Sequence, residues 1–169
     1  MDTRRELDKL KLELIMTKPF FGNVLYSLEL KADLEIEEAV RSDGIYIKYN
    51  EEAIEKSKFS VSRLRYAVLH EMYRILMLHE YRREQRDSKI WDIACDMVIE
   101  YRLATILEQE FEKLNPPPSY DPGRGLYMNK FIVLDGERFK RESEESIYRK
   151  LIKNYTENSG EIAYLDEIF

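Results

Sequence analysis

Val68-Leu69-His70-Glu71-Met72-Tyr73-Arg74-Ile75-Leu76-Met77-Leu78-His79 is the stretch on which the fold turns. Leu64, Val68, Ile75 and Leu78 recur at the spacing of one helical face, and Ser60 or Ser62 can cap a helix that runs through His70 and His79. Working back towards the N-terminus, Asn50 caps a short helix that starts at Glu51. Ser42-Asp43-Gly44 signals a turn before the alternating Ile45, Ile47 and Tyr49, and the stretch from Val24 to Leu34 alternates loosely, so two short strands are expected. Leu7, Leu10, Leu14 and Ile15 mark an amphipathic helix over about residues 3–17, punctuated by Pro19 and Gly22. Working forward, the polar run Arg82-Arg83-Glu84-Gln85-Arg86-Asp87-Ser88 turns the chain into a second long helix, from about Lys89 to Glu110. So short a connection predicts an antiparallel helix pair. Asn115-Pro116-Pro117-Pro118 ends that pair, and Asp121-Pro122-Gly123-Arg124-Gly125 opens an irregular segment placed to cover a cleft. A last helix from about Ser143 to Tyr155 precedes a polar tail from about residue 156. The whole of residues 1–169 reads as a single domain.

The chemistry suggested by the first long helix lies in His70 and Glu71. An H-E-x-x-H motif holds zinc because residues four apart share one helix face, so that two imidazoles reach one metal while the glutamate activates its water. Here position 74 is Arg74, a permanently protonated side chain with no lone pair for a metal. A His-Glu pair alone is a weak signal, and its bland reading is a packed helix. His79 looks like a substitute ligand, yet nine residues at about 100° each place it roughly 180° from His70 on a continuous helix. No glycine or proline lies between Arg74 and His79 to break that helix, so His79 is expected at the surface or behind the ligands. On the second long helix Asp92, Asp96 and Glu100 repeat every four residues. They form either a solvated acidic face or a supply of carboxylates for a site. In an antiparallel pair a carboxylate roughly 12 Å past the turn, near Asp96, comes level with Arg74 or His70.

Composition narrows the classes. Of 169 residues 44% are hydrophobic and 36% charged, which fits a globular protein with its own core. A net charge of −6 argues against a nucleic-acid partner. Cys95 is the only cysteine, so no internal disulfide or cysteine zinc knuckle can form, and a reducing, cytoplasmic setting is expected. No apolar segment reaches the length that spans a bilayer, so no membrane role is expected. Trp91, Ile93, Ala94, Met97 and Val98 read as core, and Cys95 as a small buried apolar residue.

Taken together, Val68-Leu69-His70-Glu71 through His79, followed by Trp91-Asp92-Ile93-Ala94-Cys95-Asp96-Met97-Val98-Ile99-Glu100, resemble the metallopeptidase domain that often precedes a von Willebrand A-like (VWA-like) domain. The pattern there is similar to H-E-x-x-H-x-x-x-x-H, then W-N-I-A-A-D-x-x-I-N. Pro19-Phe20-Phe21-Gly22, Asp43-Gly44 with Tyr49-Asn50, and Ser143-Glu144-Glu145-Ser146-Ile147-Tyr148 match in the same order, so the resemblance spans most of the chain. It implies an α+β, zincin-like fold, with the long antiparallel helix pair beside a small mixed sheet. It also implies zinc as the cofactor, His70 as a ligand, Glu71 as general base, and Asp96 as a further ligand or ligand orienter. An edge strand within Val24 to Leu34 would bind an extended peptide. The partners implied are a VWA-like protein and a MoxR-type AAA ATPase.

Three departures cluster at the implied site: Arg74 for the second histidine, Asp92 for the first asparagine and Glu100 for the second. They suggest a polar network in which the Arg74 guanidinium takes the cation's place and bridges Glu71 and Asp96. Three readings follow. A catalytically impaired domain kept for peptide or protein binding predicts no zinc. An active peptidase with an altered ligand set, His70 and Asp96 plus Glu100 or His79, predicts stoichiometric metal. A plain helical interaction domain predicts no cleft at Glu71.

Overall fold

A computed structural model describes residues 1–107, 120–121, 126–129, 132–135 and 142–157. The fold is α+β, and the chain divides into two compact units, Met1–Arg82 and Arg83–Phe169.

In the first unit α1 spans Thr3–Thr17, capped by Asp2, whose side chain accepts the Arg5 N–H at 3.0 Å. Its buried stripe is Thr3, Leu7, Leu10 and Leu14, the spacing that its leucines predict. Pro19 and Gly22 do not simply end it. Pro19 starts a second helix, α2 (Pro19–Ser27), at the first position, where a missing N–H costs nothing. Gly22 lies inside α2, and a Cβ there would fall 2.3 Å from the Ile15 nitrogen. The glycine is a close-packing point between helices rather than a terminator. The strand expected to begin at Val24 is therefore helical as far as Ser27.

Three short strands follow: β1 (Leu30–Ala32), β2 (Val40–Ser42) and β3 (Ile47–Tyr49). They form one mixed sheet in the order β1-β3-β2, with β1 parallel and β2 antiparallel to β3. Asp43 closes the β2–β3 turn by accepting the Ile45 and Tyr46 N–H groups at 3.1 and 2.9 Å, while Gly44 takes φ +88°. Val40, Ser42, Ile47 and Tyr49 face the core. On the other face Lys31, Lys48 and Arg41 stand in register across the three strands. Like charges in a row repel, and each here has its own carboxylate: Glu29 at 3.6 Å, Asp33 at 3.1 Å and Glu38 at 2.7 Å respectively.

Asn50 then performs two tasks. Its Oδ1 accepts the Ala53 N–H at 3.1 Å to cap α3 (Glu51–Lys56), and its Nδ2 donates to the Leu34 and Ile36 carbonyls at 3.3 and 2.8 Å. Ser60 caps α4 (Val61–Leu76) by accepting the Arg63 N–H at 3.1 Å. Leu64, Val68, Leu69, Met72 and Tyr73 bury its inner face.

In the second unit Asp87 caps α6 (Ser88–Leu107), its carboxylate accepting the Ile90 N–H at 3.0 Å. Strands β4 (Tyr120–Asp121), β5 (Leu126–Asn129) and β6 (Ile132–Asp135) form an antiparallel sheet in that order, where an irregular segment was expected. Asn115 to Pro118 and Pro122 to Gly125 lie outside the described residues. The last helix, α7 (Glu144–Glu157), packs on α6 through Ile90, Ala94, Met97, Val98, Ile147 and Leu151. Trp91 and Tyr148 meet edge to face at 6.1 Å, the Arg86 guanidinium lies 5.1 Å from the Trp91 ring, and the Tyr148 hydroxyl accepts the Asp87 N–H at 3.0 Å. Two of the separated sequence matches thus form one packing cluster. Cys95 is buried, as its surroundings in sequence suggest. Among the described residues no helix is long and apolar enough to cross a membrane.

Candidate functional site

The first unit builds a site around α4. His70 and Glu71 lie in its third turn, each side chain 14% exposed, with His70 Nδ1 3.5 Å from Glu71 Oε1. The Tyr66 ring, one turn earlier, sits 5.9 Å from the imidazole. The other carboxylate oxygen of Glu71 reaches the sheet and accepts the Ser42 backbone N–H at 2.7 Å. That length is typical of a charge-assisted bond. Burial alone pushes the Glu71 carboxyl up. The hydrogen bond and charge of His70, the charge of Arg74 and the Ser42 N–H together outweigh it and hold the group below the ordinary carboxylate range. Glu71 is therefore an anion fixed between helix and sheet.

Arg74 lies in the last turn of α4, where a cation complements the helix dipole. Its guanidinium is 3.6 Å from Glu80 Oε1 and only 13% of the side chain is exposed. Glu80 in turn lies against the sheet's turn, since a Cβ on Gly44 would sit 3.5 Å from its Cβ. Glu71, held by the Ser42 N–H, and Glu80, beside Gly44, thus join β2 and its turn to α4 and the residues after it, with the Arg74 charge acting on both carboxylates. Sequence reasoning read Ser42 only as part of a turn and did not single out Glu80. The only available signal was that both flank residues it had named.

His79 departs most from expectation. The helix does break, although the sequence has no glycine or proline there: α4 ends at Leu76, Leu78 takes φ +56°, and a new helix, α5 (His79–Arg82), begins at His79. Arg82 seals the break by donating to the Met77 carbonyl at 3.0 Å. The continuous-helix projection no longer applies, and His79 is fully buried, which excludes the surface placement among the two expected. Leu78, assigned to the packing stripe, is 53% exposed.

Asp92, Asp96 and Glu100 stand on α6 of the second unit. They are not a solvated acidic face: Asp92 and Asp96 are half-buried and Glu100 is buried. Among the described residues no group of three or more His, Cys, Asp or Glu side chains is arranged to hold a metal ion. The residues present do not fit the zinc of an H-E-x-x-H site, because the position four after His70, where that motif has its second imidazole, carries a guanidinium with no lone pair to offer.

An α+β fold whose long helix carries His-Glu beside a mixed sheet defines the class. The chain belongs to the family described as "Putative metallopeptidase domain", which matches residues 2–161 and so spans both units. No curated protein and no solved structure is similar enough to match.

Proposed function

We propose that this chain is a catalytically impaired member of its family that acts as a peptide- or protein-binding or scaffolding module. The observation that carries the reading is Arg74. It places a fixed cation one helical turn from His70, anchored to Glu80, at the position where the motif needs a second imidazole. A guanidinium there neutralises nearby carboxylates and cannot ligate. The test is elemental analysis of the full chain, purified without chelator and then offered zinc, beside Arg74→His. No zinc in the unmodified chain and zinc gained by the variant is the expected pair of results. Near-stoichiometric zinc in the unmodified chain would overturn it.

One observation favours a second reading, an active zinc-dependent peptidase that uses His70 and Asp96 with Glu100 or His79, and Glu71 as base. The break at Leu78 turns His79 inward, as a recruited later ligand requires. This reading predicts zinc that is lost in His79→Ala or Glu100→Ala. Under either reading we place the protein in the cytoplasm, with a VWA-like protein and a MoxR-type AAA ATPase as candidate partners. Co-purification from cells expressing all three tests that assignment.

A further inference from the structure

Away from the His-Glu site, the first unit holds a cleft of about 330 Å³ where α1 meets the end of α2 and the start of β1, lined among others by Arg4, Asp8, Lys11, Tyr26, Ser27 and Leu28. Arg4, Asp8 and Lys11 follow one another at spacings of four and three residues, so they share one face of α1. Lys11 is the half-buried member. Its Nζ donates to the Leu28 carbonyl at 3.2 Å, at the C-terminal cap of α2, and lies 6.0 Å from the centre of the Tyr26 ring. These surroundings disfavour its charge. Burial is the largest influence and pushes the Lys11 pKa below that of an ordinary lysine, the Asp8 carboxylate opposes the change, and the Arg4 guanidinium adds to it. Arg4 itself is loosely held, its Nε 4.0 Å from Asp8 with the side chain 73% exposed. A lysine that only tied α1 to the end of α2 would need neither the cleft nor a second cation beside it.

We propose that Lys11 is a nucleophilic amine that condenses reversibly with a small aldehyde or keto acid held in this cleft, with Arg4 taking the acid's carboxylate. The neutral Nζ adds its lone pair to the carbonyl carbon, and the carbinolamine that forms loses water to leave an imine. Both N–H protons leave with the carbonyl oxygen, so the step balances without an oxidant, a reductant or a further reactant. Asp8 stands between the two cations along the helix face, where a carboxylate can carry a proton from nitrogen to oxygen. Arg4 offers the planar pair of donors that a carboxylate accepts. The cleft lies at the small end of ligand pockets, which suits an acid of a few carbon atoms rather than a nucleotide. The inference stands apart from both readings of the His-Glu site.

The experiment treats the full chain, Lys11→Arg and Arg4→Gln at neutral pH with limiting glyoxylate or acetaldehyde. Cyanoborohydride is present to reduce each imine to a stable secondary amine, and peptide mapping reads the rate at every lysine. In the unmodified chain glyoxylate should label Lys11 at least about tenfold faster than the exposed Lys56 and Lys58. Arg4→Gln should lower the ratio of the glyoxylate rate to the acetaldehyde rate at Lys11 severalfold, and taking the ratio cancels any change in the basicity of the amine itself. Lys11→Arg, which keeps a donor for the Leu28 carbonyl, should lose the fast labelling while melting like the unmodified chain. Labelling of Lys11 no faster than that of Lys56 and Lys58 would overturn the reactive amine. An unchanged ratio in Arg4→Gln would overturn the carboxylate site, and fast labelling that persists in Lys11→Arg would overturn the assignment to this residue.

Discussion

Replacing Gly22 by alanine sets two effects against each other, and the structure decides between them. On helix propensity alone the change should help, since alanine is better than glycine inside a helix by about 1 kcal/mol. Against this, the new Cβ would fall 2.3 Å from the Ile15 nitrogen, 2.5 Å from its Cα and 2.6 Å from the Leu14 carbonyl carbon. All three are backbone atoms of α1 and cannot swing away. Ordinary contact lies near 3.5–4.0 Å, so α1 and α2 must part by roughly 1 Å, which forfeits a quarter to a half of the dispersion energy of each contact that opens. The side chains exposed to that loss include Leu10, Leu14 and Leu25, all at 5% exposure or less. Overpacking of this kind costs about 1–3 kcal/mol and backbone clashes lie at the upper end, so the net effect is a destabilisation of about 2 kcal/mol after the propensity gain. For a chain of this length that lowers Tm by about 4–8 °C. A thermal melt followed by circular dichroism reads it directly. An unchanged or raised Tm would refute the close approach of the helices and leave propensity as the governing term.

Asn50→Ala removes a cap and two bonds to the loop at Leu34 and Ile36, and should cost about 2–4 kcal/mol in urea unfolding, whereas a cost near 0.5 kcal/mol would mean the loop is held otherwise. At Leu78, held at φ +56°, glycine should be about 0.5–1 kcal/mol more stable than alanine, the reverse of their order in a helix, and differential scanning calorimetry of the pair tests it. Burial pushes the Glu142 carboxyl up, but its bonds from Lys150 at 2.6 Å and from the Ser146 hydroxyl prevail and lower its pKa. A carboxyl lowered on folding adds stability above its unfolded pKa and loses it as pH falls through the folded value. The stability gap between the unmodified chain and Glu142→Gln should therefore be full at neutral pH and close in acid, and a gap that widens in acid would show the sign to be wrong.

Helices with strong periodicity and good caps were legible in the sequence. The bounds of α1 follow from its leucines, and Asn50 and Ser60 start the helices that their side chains cap. The mixed sheet was legible only in part, because three-residue strands carry too few alternations to separate β1 from the helix before it, and β2 lies in a stretch rich in acidic residues. Gly22 misled for a physical reason: a glycine that admits a neighbouring backbone and a glycine that ends a helix look alike in one dimension. Within the site, His70, Glu71 and Arg74 could be named from spacing, since residues of one helix carry their geometry with them. Ser42 could not, because its contribution is a backbone N–H whose direction depends on strand register. The break before His79 was missed because nothing in Met77-Leu78 marks a left-handed residue, and without it a continuous helix is the local preference.

The contact between Glu71 and Ser42 also bears on solubility. A short sheet with open edges invites pairing between molecules, and proteins blunt such edges with charges or cover them. Here β1 carries Lys31 at the middle of its three residues, while β2 has its outward amide occupied by the Glu71 carboxylate. One acidic side chain thus fills the amide that an approaching strand would need. Glu71→Ala, the substitution that anyone testing for a catalytic base would make first, also strips the Ser42 amide of its acceptor, so sedimentation at rising concentration should show more self-association than in the unmodified chain, and an unchanged profile would show that the carboxylate has no such part.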